Sequence, residues 1–118
     1  MTVHEFELYR LLLSFNPCEV FDYFEVDEMH GLNVKDCEDY DNTTEDAYIA
    51  GWCNYSPTDG KPYVFINLSR CTDDMRSTGL IMHELIHLVC RLFDDWEENE
   101  EFMITWAESE TYELMKLI

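Results

Sequence analysis

His83-Glu84-Leu85-Ile86-His87 lies near the end of an apolar run that opens around Leu80. On a helix, residues four apart stand one above the other on one face. His83 and His87 can therefore offer two imidazole nitrogens to one metal ion. Glu84, about 100° round the helix from His83, borders that face, where it could hold a water on the metal and take its proton. These three positions carry the mechanics of the His-Glu-x-x-His zinc hydrolase motif. A pattern this short also arises by accident in a Glu-rich chain, so its surroundings must support it.

They do. Leu80, Ile81, Met82, Leu85, Ile86, Leu88, Val89, Leu92 and Phe93 cover most of the helix except the sector of His83, Glu84 and His87. A helix apolar nearly all round belongs in the middle of a domain, and the motif residues then sit beside a core. Thr72, Asp73 and Asp74 are candidate N-caps, and the helix is expected from about Asp74 to Phe93.

The chain of 118 residues is expected to form one domain, 1–118, with one modest core. Hydrophobic residues at 47% and aromatics at 14% argue for a folded chain despite a net charge of −19. That charge repels phosphates, which argues against nucleic acid, and it favours basic peptides or a basic protein surface. The N-terminus shows no basic n-region or small-residue cleavage site, and no apolar run approaches membrane-spanning length. Cys18, Cys37, Cys53, Cys71 and Cys90 are odd in number and lack Cys-x-x-Cys spacing. We therefore expect reduced cysteines, no membrane segment and a cytoplasmic location.

In chain order, residues 2–15 read as a helix, with Thr2 and Glu5 as a capping box and Val3, Phe6, Tyr9, Leu12 and Leu13 at helical spacing. Asn16-Pro17 ends it. Residues 18–26 fit a strand or a short helix equally well. His30-Gly31 suggests a turn and Leu32 to Val34 a short strand. The acidic run from Asp36 to Asp46 lacks EF-hand ligand spacing and its glycine, and reads as a solvated loop. Residues 47–68 form a β-hairpin pattern around the turn-rich Ser56 to Lys61. After a polar break at Asp94 to Glu98, a last helix is expected from about Asn99 to Leu117.

Two histidines leave a catalytic zinc short of its usual three protein ligands. His4 and His30 have no spacing that recommends them. Cys90 shares the histidine face but lies about 10.5 Å along the axis from His83, too far for one ion to bind both. The last helix offers carboxylates, and its wheel puts Glu101, Glu108 and Tyr112 on one side, with Glu110 on the opposite, more apolar one. A tight hairpin brings residues 106–110 level with the histidines, and fraying of the first helix brings Glu101 level instead. Spacing leaves Glu101 and Glu108 both open. Tyr112 is a candidate phenol donor to an oxyanion, with helix packing as its plainer role.

His83-Glu84-Leu85-Ile86-His87, followed after a short linker by Glu98-Asn99-Glu100-Glu101 and Thr105-Trp106-Ala107, resembles small zincin-type metallopeptidases of the gluzincin kind. The strand Tyr63 to Leu68, leading through Ile66-Asn67-Leu68-Ser69 to the motif helix, is similar to the strand that borders their cleft. The resemblance spans about residues 48–117. It implies an α+β, zincin-like fold: an N-terminal helix and a small sheet or hairpin packed on a central motif helix, with an antiparallel C-terminal helix. It also implies Zn²⁺ held by His83, His87 and Glu101, with Glu84 as general base in peptide-bond hydrolysis. The His87-to-Glu101 spacing is shorter than gluzincins generally show, which keeps Glu108 as the alternative. A peptide or protein substrate, favoured if basic, is the expected partner. The alternative function is a catalytically weak or inactive member of the same fold, acting as an acidic protein-binding or regulatory module.

Overall fold

Leu11, Leu12 and Leu13 decide how the N-terminal stretch folds. In the computed structural model, which describes residues 1–29, 32–33, 50–92 and 98–118, they lie on a strand. Leu11 and Leu13 point into one buried cluster and Leu12 into another. The helix expected over residues 2–15 is therefore replaced by two antiparallel strands, β1 (Thr2–Glu5) and β2 (Arg10–Ser14), paired from Thr2↔Leu13 to Glu5↔Arg10. The physical reason is burial on both faces. Three consecutive leucines satisfy a central strand with apolar layers above and below, and a continuous apolar run does not by itself distinguish helix from strand. Instead of capping a helix, the Glu5 carboxylate accepts from the Arg10 guanidinium and, at 2.9 Å, from Lys61 Nζ.

Pro17 caps the short helix α1 (Cys18–Phe24), which ends at Glu25 in a left-handed conformation. It buries Val20, Phe21 and Phe24 against Leu12, Tyr63 and Phe65 on one face of the sheet. A two-stranded ribbon follows, β3 (Glu28–Met29) with β4 (Leu32–Asn33). The strand expected at Leu32 is therefore present, while Val34, the His30-Gly31 turn and the Asp36–Asp46 run lie outside the described residues. Cys18 is disulfide-bonded, which corrects the expectation of uniformly reduced cysteines, since an odd count still allows a bridge. Cys53, Cys71 and Cys90 are free.

The expected hairpin is β5 (Gly51–Tyr55) and β6 (Pro62–Asn67), antiparallel from Gly51↔Ile66 to Tyr55↔Pro62. Its turn closes with Ser56 N–H donating to the Lys61 carbonyl at 2.8 Å and Gly60 at φ +75°. β6 also pairs in parallel with β2, giving a mixed four-stranded sheet of order β1-β2-β6-β5. Among the described residues β5 is thus an edge strand.

The motif helix, α2, spans Asp74–Leu92, and the last helix, α3, spans Glu100–Met115, close to the limits expected for both. The Asp73 carboxylate accepts from Arg76 N–H at 2.8 Å, and its carbonyl from Ser77 N–H at 3.0 Å. Ile81, Leu85 and Leu88 are fully buried against Leu11, Leu13, Val64 and Ile66 on the sheet face opposite α1. Each such side chain contributes about 1.5–3 kcal/mol relative to its exposed state. α3 returns antiparallel: Thr78 Oγ1 meets Met115 Sδ at 3.7 Å, and Val89 and Cys90 lie by Met103 and Ala107. Tyr9, just before β2, fastens α3 by an edge contact to Trp106 and a 2.6 Å hydrogen bond from its hydroxyl to Glu110. The architecture is α+β, as expected, with helices on both faces of the sheet. No helix among the described residues is long and apolar enough to cross a membrane.

Candidate metal centre

The buried stripe of α2 sets the orientation of the motif. With Ile81, Leu85 and Leu88 turned to the sheet, His83 and His87 fall on the exposed rim and Glu84 turns inward, 4% exposed. The apolar cover expected around the motif is thus incomplete: Ile86, between the histidines, is 53% exposed.

His83 Nε2 and His87 Nε2 lie 3.2 Å apart, with ring planes at 77°. Two nitrogens at roughly 2.0–2.1 Å from a tetrahedral zinc are about 3.3–3.4 Å from each other. The spacing of the pair is therefore that of two ligands on a shared ion. Two neutral imidazoles of complementary tautomer can occupy the same spacing through one N–H···N bond.

Glu84 is held where β5 crosses close to α2. A β-carbon on Gly51 would rest in ordinary contact, 3.5 Å, with Glu84 Cγ but only 2.4 Å from the Phe65 carbonyl oxygen, so glycine is what lets β5 lie this close to β6 beside the carboxylate. Glu84 Oε2 is buried with no hydrogen-bond partner. Burial pushes its carboxyl up to about 7, with the Arg91 charge pulling the other way. An unpaired buried carboxylate is costly, and proximity to a cation would relieve it. Beside it, burial pushes the Cys53 thiol up to about 11, so this cysteine stays protonated at neutral pH.

Gly51, Trp52, Cys53, His83, Glu84, His87 and Arg91 line a cleft of about 190 Å³ between α2 and the edge strand. Arg91 lies over the Tyr55 ring at 5.8 Å, and its carbonyl accepts from the Tyr55 hydroxyl at 3.4 Å. Neither Gly51 nor Arg91 was anticipated as part of the site. Arg91 was findable, since it continues the His83–His87 row by one more step of four. Gly51 was not, because what requires it is the close approach of its backbone to the Phe65 carbonyl on the neighbouring strand.

The carboxylates of α3 lie elsewhere. α2 meets α3 through Met82, Ile86, Val89 and Cys90 and faces the cleft through His83, Glu84, His87 and Arg91. Glu101 is exposed in the first turn of α3, and Glu108 lines a groove with Met82 and Tyr112. Tyr112 is 75% exposed. None of the three lines the cleft, and the described residues contain no group of three His, Cys, Asp or Glu able to hold a metal ion. His4 stacks near Phe6 on the opposite edge strand, and His30 is outside the described residues.

No protein-family model matches the chain, and no curated protein or solved structure is significantly similar to it. The reading of the site rests on its own chemistry.

Proposed function

We propose that the protein is a zincin-like, zinc-dependent hydrolase that cleaves peptide bonds in the cleft between α2 and β5. The observation that carries this reading is the 3.2 Å pair of imidazole nitrogens next to a buried carboxylate whose Oε2 lacks a partner. His83 and His87 would hold Zn²⁺; the resemblance at Asn99-Glu100-Glu101 implies Glu101 as third protein ligand, with Glu108 as its alternative, and either would have to move to reach the cleft, which neither lines. Bound there, Zn²⁺ would supply Lewis acidity toward a carbonyl and make water a stronger nucleophile. Glu84 Oε2 would take the proton of the attacking water, as the water oxygen bonds to the carbonyl carbon. It would return that proton to the amine nitrogen as the C–N bond breaks. Gly51 and the walls of β5 keep Glu84 desolvated, which favours a carboxyl able both to accept and to release a proton near neutrality.

The proposed substrate is a peptide or protein carrying basic residues, which the chain's negative field would draw in. A cytoplasmic location belongs to this proposal too. Three free cysteines suit it, while the disulfide at Cys18 is of a kind rare in reducing compartments.

The test is zinc content followed by hydrolysis of a peptide library. Wild type should carry about one zinc per chain and cleave. Glu84→Gln should keep its zinc and fold yet lose hydrolysis by several orders of magnitude.

A second reading, an acidic binding module, is favoured by the outer groove between α2 and α3. Ile86, Ile104 and Tyr112 are exposed along it, with Glu100 and Glu108 beside them. Zinc-loaded wild type that cleaves nothing, yet holds a basic protein stably, would replace the enzyme reading with this one.

A further inference from the structure

The cleft contains one charged group to which the proposed chemistry gives no task. Acidic residues outnumber basic ones 26 to 7 in this chain, and four of the cations among the described residues have a carboxylate partner. Arg10 binds Glu5 and Asp59, Lys61 binds Glu5, Arg76 binds Asp73 and Lys116 binds Glu113. Arg91 forms no ion pair among the described residues. It lines the cleft with His83, Glu84 and His87, packed over the face of Tyr55. Nor does it satisfy Glu84 by contact, since Glu84 Oε2 accepts no hydrogen bond.

We propose that Arg91 is a substrate-binding residue that anchors the free C-terminal carboxylate of a peptide. The proposal rests on the hydrolase reading for its catalytic consequence, though the binding itself does not require metal. Three observations carry it. The guanidinium presents a planar fork of donors suited to a carboxylate, and the aromatic face beneath it holds that fork in place. Arg91 lies one helical turn beyond His87, about 6 Å along the axis. Successive peptide units are about 3.8 Å apart, so a carbonyl at the histidines places a terminal carboxylate one or two residues away within reach of Arg91. The cleft of about 190 Å³ is also small beside ligand pockets of about 300–1,000 Å³, which suits the end of a chain better than its middle.

Charge sharpens the selection. A chain of net −19 repels carboxylates at long range, but that field is screened over about 8 Å in physiological salt, leaving Arg91 to act locally. The favoured ligand is a peptide with basic residues upstream and an unblocked C-terminus. Such a site would release one or two residues from that end.

The test compares N-acetyl-lysyl-alanine with its C-terminal amide by calorimetry, using metal-free wild type and zinc-loaded Glu84→Gln, neither of which turns the ligand over. The free acid should bind at least about tenfold more tightly than the amide in both, as a charge-assisted hydrogen-bonded pair would give. Arg91→Gln should bring the two ligands to equal affinity. Arg91→Lys, which keeps charge but loses the fork, should retain a reduced preference. Equal affinity in wild type, no binding of either ligand, or a preference that survives in Arg91→Gln would each overturn the proposal. A preference seen in metal-free protein that cleaves nothing when loaded would uphold the Arg91 site while rejecting the hydrolase reading.

Discussion

Gly51 and Glu84 face each other across the strand–helix boundary, close enough that a β-carbon on the glycine would rest 3.5 Å from Glu84 Cγ, in ordinary van der Waals contact. An added β-carbon would also press to 2.4 Å on the Phe65 carbonyl, which is backbone and cannot rotate away. β5 would have to move off β6 at Gly51↔Ile66.

Gly51→Ala is therefore expected to destabilise the fold by about 1–3 kcal/mol, the usual cost of overpacking, through the shift it forces between β5 and β6. Thermal unfolding should show a drop of several degrees. An unchanged midpoint would mean that β5 tolerates the displacement, and the close approach to Phe65 would then not matter to stability.

The histidine pair gives the second prediction. His83→Ala and His87→Ala should each lose most bound zinc, because one imidazole cannot replace two convergent ones. His4→Ala, on the opposite edge strand, should retain it. Glu101→Gln and Glu108→Gln are to be measured beside them. Loss of affinity in the Glu101 variant alone would support it as third ligand, and would require the first turn of α3 to approach the cleft. Loss in the Glu108 variant alone would transfer the role. Equal zinc in the His4, His83 and His87 variants would remove the metal site altogether.

How much of this was legible in the sequence depends on the range of the interactions. α2 and α3 announce themselves through local periodicity and caps, and the β5–β6 hairpin through Pro57, Asp59 and Gly60 in its turn. The N-terminal stretch misled because Val3, Phe6, Tyr9, Leu12 and Leu13 happen to fall at helical spacing. What decides for strands is the pairing of Leu11–Leu13 with Val64–Ile66 more than fifty residues later, which local spacing cannot express. At the site the same division holds. His83, Glu84 and His87 share one helix and could be read directly. The separation of Glu101 and Glu108 from the cleft depends on which flank of α2 receives α3, and that is set by Tyr9 gripping Glu110 and Trp106.

Acid should loosen the hairpin end of the sheet. The Arg10 hydrogen bond holds Asp59 well below the usual carboxylate range, and Lys61 and then Arg10 lower Glu5. A carboxyl whose folded pKa lies below its unfolded value, about 3.9 for Asp and 4.3 for Glu, stabilises the fold above that value. The contribution is lost as pH falls toward the folded pKa. Urea midpoints should accordingly decline below about pH 4, and Asp59→Asn should flatten that decline while lowering stability near neutrality. An identical acid profile in the variant would show that the Arg10–Asp59 pair does not act on stability.

The last prediction concerns what Glu84 does for the fold. Its neighbours on the buried side of α2 are Leu85, Leu88 and Ile81, and its Oε2 has no partner. A residue chosen for stability at this place would be apolar or would have its oxygen satisfied, since a buried unsatisfied group costs about 1–3 kcal/mol and more when charged. Replacing Glu84 by Gln removes the charge while keeping the shape. In metal-free protein at neutral pH the variant should therefore unfold at a higher temperature than wild type. Zinc should narrow that gap, because a cation held by His83 and His87 offsets the carboxylate charge in wild type alone. A residue that weakens the apo fold and is compensated by the metal is expected of a catalytic group. If Glu84→Gln instead lowers the unfolding temperature in the metal-free state, Glu84 contributes to the fold itself, and its burial is no longer an argument for chemistry.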